Sequence, residues 1–428
     1  MQSKTIISKE AIKPSQPTPR ERTLSKSLLD QFSPHIFVRV ILFYLPAGRQ
    51  NPNPTDTTSI KLLKTSLSKT LSHYYPFAGK VNKEGQIECT DDGVELLEAR
   101  FSSRLVDVLE HPRIEEISKL FPISGDEALK GSGIDSLVVI QITRFDCGGM
   151  AIGACFSHKI VDASSIATFM NDWASITCNP NHGPIPQFSG ASFFPPFDSM
   201  TISPKSMPPS EECRTRRLVF NVSKIDALRN NNVLRALHPT RFETIAALIC
   251  KTILGGSTAT SGSTRPRAVN IIVNLRTKMA PPLSENQIGN FATHNLVNVT
   301  ACETDLYSLV RLLKDGMAKF HEKFGQQLDS AYERSSEIHN SYKELEQLLG
   351  NKNAEIFPFY NVDFGFGKPV WASVFPNPTR NCIFMCDTRD GKGIEAWVSL
   401  DDPDVAVFEN DHELLSFAST NPSPLGTL

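Results

Sequence analysis

The features missing from this sequence narrow its chemistry before any single motif does. No stretch approaches the roughly 20 apolar residues of a membrane span. The richest early run, residues 35–45, is short and interrupted by Arg39. Net charge is almost absent, −2 from 44 basic and 46 acidic side chains, and no basic run stands out. A nucleic-acid partner is therefore not expected. The first 21 residues contain no apolar segment of the signal-peptide kind, and the final LGTL is no organelle address, so the expected compartment is the cytoplasm. The nine cysteines include no CxxC pair, which reads as reduced thiols. Cys382 and Cys386 merely share a face of an expected strand. A cysteine nucleophile served by some histidine stays open on composition. Walker A and GxGxxG fingerprints are missing, so neither ATP nor NAD is implied. A GxSxG elbow is missing too, and the DFG at 363–365 has no glycine-rich loop or HRD to make it a kinase.

An ordinary globular composition remains, 40% hydrophobic and 21% charged over 428 residues, a length at which two domains are expected. Strand and helix patterns alternate in both halves, giving an α/β class. Residues 1–180 form the first expected domain. Residues 181–215, crowded with proline and serine, read as a crossover loop, and residues 216–428 form the second domain.

The stretch 150–174, MAIGACFSHKIVDASSIATFMNDWA, organises the first half. Residues 151–156 suit a buried strand, and 137–145 suit its partner, with Gly148-Gly149 supplying a tight hairpin turn. Ile166, Phe169, Met170 and Trp173 then recur at i, i+3, i+4 and i+7, the stripe of a half-buried helix. Asp162 supplies an N-cap residue type at its start. His158 consequently stands where a strand gives way to a loop, rigidly delivered by the hairpin. His158 and Asp162 would serve as a metal pair only on one continuous helix with a third ligand, and the pattern breaks between them. No metal is expected. Elsewhere, 37–45 reads as a strand near an edge or interface, and 60–71 as an amphipathic helix. Residues 85–100 read as two short strands around the turn at Asp91-Asp92-Gly93. Helices are expected at 239–254 and 304–328, and a solvated surface helix at 336–350. The pair 383–386 and 394–400 reads as a second hairpin, and Asp402-Pro403 as N-cap and first residue of the last helix.

A loop-borne imidazole with no metal, phosphate loop or nucleophile beside it suits proton abstraction from a hydroxyl or amine. SHKIVDASS at 157–165 and DFGFGKP at 363–369 resemble the two hallmark motifs of the plant BAHD acyl-CoA-dependent acyltransferases. LSKSLLDQ, LSHYYPFAGK at 71–80, TRFDCGGMAIG at 143–153, VNLRTKMAPPL at 273–283, IGN at 288–290 and TRDGKGIEAWVSL extend the likeness over nearly the whole chain. The resemblance implies two chloramphenicol acetyltransferase-like domains, each a mixed sheet with flanking helices, and a channel between them. It implies His158 as general base, with direct attack on the thioester and no acyl-enzyme. Asp162 and Arg276 would be structural supports of the catalytic loop. Asp363, Phe364, Gly365, Phe366 and Gly367 would support the channel and the CoA site.

Two departures, Ala163 for the family's frequent glycine and Phe366 for its tryptophan, resemble the branch of alkaloid O-acetyltransferases. That implies acetyl-CoA as co-substrate, with no bound cofactor, and a small-molecule alcohol, a monoterpenoid indole alkaloid, as acceptor of a monomeric enzyme. A malonyl or other acyl donor, or an amine acceptor, is the alternative within enzymes. A non-catalytic ligand-binding homologue is the alternative outside them.

Overall fold

The structure, a computed structural model, describes residues 3–18, 23–46, 53–83, 85–131, 133–197, 213–261, 267–300, 302–326, 330–347, 359–375 and 382–427. Its longer strands, in chain order, are β1 (Lys4–Ile12), β2 (Phe37–Tyr44), β3 (Val94–Phe101), β4 (Val138–Phe145), β5 (Met150–Ser157), β6 (Cys213–Phe220), β7 (Arg267–Asn274), β8 (Ala292–Val299), β9 (Trp371–Phe375), β10 (Cys382–Asp387) and β11 (Ile394–Asp401). The helices used below are α1 (Leu28–Phe32), α2 (Thr57–His73), α3 (Ala163–Cys178), α4 (Arg241–Ser261), α5 (Leu306–Gln326) and α6 (Ala331–Gln347).

The N-terminal lobe is a six-stranded mixed sheet in the order β1-β3-β4-β5-β2-β9, in which only β3 and β4 run parallel. The β4–β5 hairpin forms as expected, with Gly148 at a φ of 83° in its turn. A side chain at Gly153 in β5 would meet the Leu120 carbonyl at 2.3 Å, so the strand lies flat against that loop. One face of the sheet packs on α2 and α3. Ile60, Leu63, Leu67 and Leu71 of α2 and Ile166, Phe169, Met170 and Trp173 of α3 are all buried there, the stripes read from the sequence. The other face packs Phe37, Ile41, Phe43 and Val139 under short helices at 105–130.

In the C-terminal lobe, β10, β11 and β6 form a sheet, closed by a short strand at Ser419–Thr420, with the expected β10–β11 hairpin. The β7–β8 ribbon stands apart. Its Val269, Ile271, Val273 and Val297 enter a core shared with α4 and α5. Alternation along the ribbon puts Asn270, Asn274 and His294 on its opposite face.

Strand β2 lies next to the edge of its sheet, as expected, and the edge strand itself is β9, with Trp371 opposite Phe43 and Phe375 opposite Arg39. Buried Arg39 lies over the rings of Phe121 and Phe375, at 5.1 and 5.0 Å. Several expectations change in the folded chain. The strands around Asp91-Asp92-Gly93, Ile87–Glu88 and β3, exist but belong to different sheets. Helix α6 is not simply a solvated surface piece: Ser335 and Ile338 are buried, and Tyr342 stacks on Phe32 at 3.9 Å. The N-cap of the helix Asp402–Glu409 is Asp401, and another helix, His412–Phe417, follows it.

The two halves also exchange segments across the expected boundary. Residues 359–375 lie with the N-terminal sheet and its core, whereas Leu28, Leu29 and Phe32 of α1 lie in the C-terminal core. Of the crossover loop, residues 198–212 lie outside the described residues. Among the described residues, no helix is long and apolar enough to cross a membrane, and no cluster of metal-ligating side chains occurs.

Candidate active site

His158 follows β5 directly, and its backbone N–H donates to the Ile36 carbonyl at 2.9 Å. The ring is partly exposed. Its Nδ1 lies 3.0 Å from Oδ1 of Asn290. The partners of Asn290 settle which tautomer this contact requires. Asn290 Nδ2 donates to the His158 carbonyl and to Asp30 Oδ1, both at 2.8 Å. Neither partner can donate, so the amide nitrogen must face them, and its oxygen must face the imidazole. Nδ1 therefore carries the hydrogen, and Nε2 keeps the free lone pair. Burial lowers the imidazole's pKa below its ordinary 6.5, and the Asn290 contact and Asp162 only partly offset this.

Asp30, which fixes Asn290, is itself buried in α1. It closes a capping box with Ser27, whose N–H and Oγ both donate to Asp30 Oδ2 at 2.8 Å. Its Oδ1 accepts from the Asn290 backbone N–H at 3.2 Å as well as from Nδ2. Burial pushes the Asp30 carboxyl up, and these four donors pull against it.

Asp162 caps α3, accepting from the Ser165 N–H at 2.8 Å. Arg276 meets it as a fork, Nη1 to Oδ2 at 2.8 Å and Nη2 to Oδ1 at 3.2 Å. The Phe291 N–H donates to Oδ2 at 2.9 Å, which ties the carboxylate to the residue after Asn290. Both side chains are buried, and the guanidinium lies 4.6 Å from the Phe291 ring centre. It also donates to the carbonyls of Gln287 and Gly289 and to Ser165 Oγ. Burial alone would push the Asp162 carboxyl up, but Arg276 and the two N–H donors hold it below the ordinary carboxylate value. This pair thus clamps residues 287–291 onto the start of α3, and that clamp positions Asn290 against His158.

Asp363 to Gly367 make a self-contained turn in which Asp363 Oδ1 accepts from the N–H groups of Gly365 and Gly367, at 2.8 and 3.0 Å. Both glycines have φ near +92°, a conformation other residues resist. Phe364 packs edge-on against Trp173 at 4.8 Å, and Phe366 against Tyr44 at 6.1 Å. The motif buttresses α3 and β2.

Sequence reasoning singled out neither Asn290 nor Asp30 as a site residue, although both stood in stretches that carried the resemblance. It also passed over His294 on β8. Asn270 Nδ2 lies 2.7 Å from His294 Nδ1, and Tyr342 packs edge-on against that ring at 4.5 Å. Burial and the nearby His158 push the His294 imidazole down to about 4, so the site holds two neutral imidazoles at neutral pH.

The two-lobed mixed α/β fold matches a known group of proteins. The sequence model of the Transferase family matches residues 3–415, and the chain belongs to that family, the BAHD acyltransferases. It is an acyl-CoA acyltransferase. It is 37% identical to 17,18-epoxy-17-hydroxycur-19-ene N-malonyltransferase of Strychnos nux-vomica, over 97% of this chain and 90% of that one. It is 32% identical to stemmadenine O-acetyltransferase of Catharanthus roseus, over 95% and 96%. The crystal structure of vinorine synthase superposes with a TM-score of 0.84 at 32% identity, covering 97% of this chain and 99% of that one.

Proposed function

We propose that this chain is a monomeric cytoplasmic O-acyltransferase that moves acetyl from acetyl-CoA to a hydroxyl of a plant alkaloid, of the monoterpenoid indole class. The observation that carries the chemistry is the pinned amide of Asn290, which leaves Nε2 of His158 as the nitrogen able to accept a proton. The acceptor hydroxyl gives its proton to Nε2 while its oxygen attacks the thioester carbonyl. Collapse of the tetrahedral intermediate forms the ester, breaks the C–S bond and returns the proton from the imidazolium to the CoA thiolate. No acyl-enzyme is required. Asp162 and Arg276 act as positioning residues, and the DFGFG turn supports the scaffold. The name of the stemmadenine relative supports acetyl and a hydroxyl. The name of the Strychnos relative supports the second reading, a malonyl donor and an amine acceptor.

Mass spectrometry of the purified protein with acetyl-CoA and a panel of hydroxylated indole alkaloids tests the first reading. Products heavier by one acetyl group are expected. Turnover only with malonyl-CoA would overturn the donor, and silence with CoA still bound would overturn the acceptor class.

Two further results are expected of the same assay. Because burial holds His158 below 6.5, its base form persists through that pH, and kcat/KM should fall only on the acid side of 6.5. An acid limb centred at pH 7 or above would contradict this environment. Asn290→Leu removes the acceptor for Nδ1–H, and kcat should drop on the order of 10-fold, the effect of one hydrogen bond that orients a base. The acid limb should shift with it, which mere loss of stability would not cause.

A further inference from the structure

Proton transfer through His158 leaves the second imidazole of the site, His294, without a task. Its place follows from the β7–β8 ribbon. Asn270, Asn274 and His294 share the ribbon face turned away from the core under α4 and α5. That face looks toward the N-terminal lobe: Asn274 Nδ2 donates to Ser164 Oγ at 3.4 Å, in the first turn of α3 beside the Asp162 cap. His294 is four residues beyond Asn290, so their Cα atoms lie at most about 14 Å apart. Asn290 in turn touches His158. Tyr342 of α6 ties the two ends together, packing edge-on against His294 at 4.5 Å and flat on Phe32 at 3.9 Å. Phe32 belongs to α1, as does Asp30, whose carboxylate holds Asn290. Strand β8 and helix α1 therefore carry the two histidines at opposite ends of one packed assembly.

The two rings are held in opposite senses. His158 gives its Nδ1–H to an amide oxygen, which leaves Nε2 able to accept. His294 faces an amide nitrogen instead, with Asn270 Nδ2 at 2.7 Å from its Nδ1. An amide nitrogen only donates, so Nδ1 of His294 accepts and Nε2 carries the hydrogen. The ring is partly exposed, and this N–H is the polar edge not committed to the ribbon. Burial pushes the imidazole down to about 4, with His158 adding to the effect, so at neutral pH the ring is an uncharged donor. Such a donor calls for an uncharged lone pair. A basic amine, protonated at neutral pH, has none to give, whereas a carbonyl oxygen has two.

We propose that His294 is a specificity-determining residue for the acceptor alcohol, its Nε2–H donating to a carbonyl oxygen that the acceptor carries remote from the reacting hydroxyl. The inference rests on the acyltransferase reading with His158 as base and deepens it, because it states what the acceptor carries besides its hydroxyl. His294 takes no part in making or breaking bonds. It holds the far end of the acceptor, so that the hydroxyl reaches Nε2 of His158 in one orientation.

The test pairs two acceptors that differ in one group, a hydroxylated indole alkaloid methyl ester and its decarbomethoxy analogue, each assayed with acetyl-CoA on the full chain. The wild type, His294→Phe and His294→Gln are compared by the ratio of kcat/KM for the ester to that for the analogue. Phenylalanine keeps a ring against Tyr342 and removes the N–H, and a ratio cancels any loss of folded protein. The ratio should fall roughly 3- to 10-fold in His294→Phe, the effect of one neutral hydrogen bond. His294→Gln, whose amide can accept from Asn270 and still donate, should recover part of the loss. KM for acetyl-CoA should be the same in all three proteins. An unchanged ratio in His294→Phe, whether both acceptors weaken equally or neither does, overturns the proposal and leaves His294 a packing residue. Turnover of either alcohol by the wild type reports separately on the underlying function. Without turnover, calorimetric affinities for the two alcohols give the same ratio, and a pair that binds equally or not at all overturns the proposal.

Discussion

His158→Ala should lower turnover by roughly 10²- to 10⁴-fold, the range a positioned general base contributes. The variant should stay folded. The imidazole makes one side-chain hydrogen bond, to Asn290, and its backbone contact with Ile36 survives the substitution. The stability cost is therefore that of one unsatisfied amide oxygen, about 1 kcal/mol. Near wild-type turnover in a folded His158→Ala protein would remove this residue from the mechanism. Binding of acetyl-CoA should persist, because the base acts on the acceptor, and calorimetry on the variant checks this separately from rate.

The largest loss of stability is expected from Asp162→Ala. Breaking a buried ion pair by deleting one partner typically costs about 3–5 kcal/mol, because the other charge is stranded. Here the stranded group is Arg276, 1% exposed, and the deletion also frees the N–H groups of Ser165 and Phe291. A melting temperature lower on the order of 10 °C should accompany the loss of rate. Replacing both partners, Asp162→Leu with Arg276→Met, should cost less than the sum of the single changes. An unchanged melting temperature in Asp162→Ala would contradict the clamp.

The pH dependence has a definite sign. The folded carboxyl lies below its ordinary 3.8, so its stabilisation is complete above that value and is lost as pH falls through the lower folded value. Acid unfolding should therefore begin at higher pH in Asp162→Ala than in the wild type.

The local parts of this site were legible in the sequence. A Gly-Gly turn between two apolar runs fixed the β4–β5 hairpin, and a helical stripe behind Asp162 fixed α3, so the position of His158 followed. Pairing of Asp162 with Arg276 came from the family likeness, not from spacing, and the structure places the two in contact. Asn290 and Asp30 were illegible as a relay because they lie 132 and 128 positions from His158 along the chain. A capping-box pattern at Ser27-x-x-Asp30 could have marked the start of α1, yet nothing local says that its carboxylate also reaches across the lobes. Helix α6 was underread because its inward stripe, buried Ser335 and Ile338 with partly buried Tyr342, is polar at two of three positions. Strand β9 is five residues, four of them apolar, and so short a run cannot declare which sheet it will join.

That strand has a consequence for how the protein is made. Five of the six strands in the N-terminal sheet have been synthesised by Ser157, but β9 arrives only with residues 371–375. At about 5–20 residues per second, the open edge of β2 waits roughly 10–45 s for its partner. Until then a row of unpaired backbone groups flanked by Val40, Leu42 and Phe43 is a template for pairing with other chains. A fragment ending near residue 180 keeps that edge open for good, and it should aggregate when expressed alone.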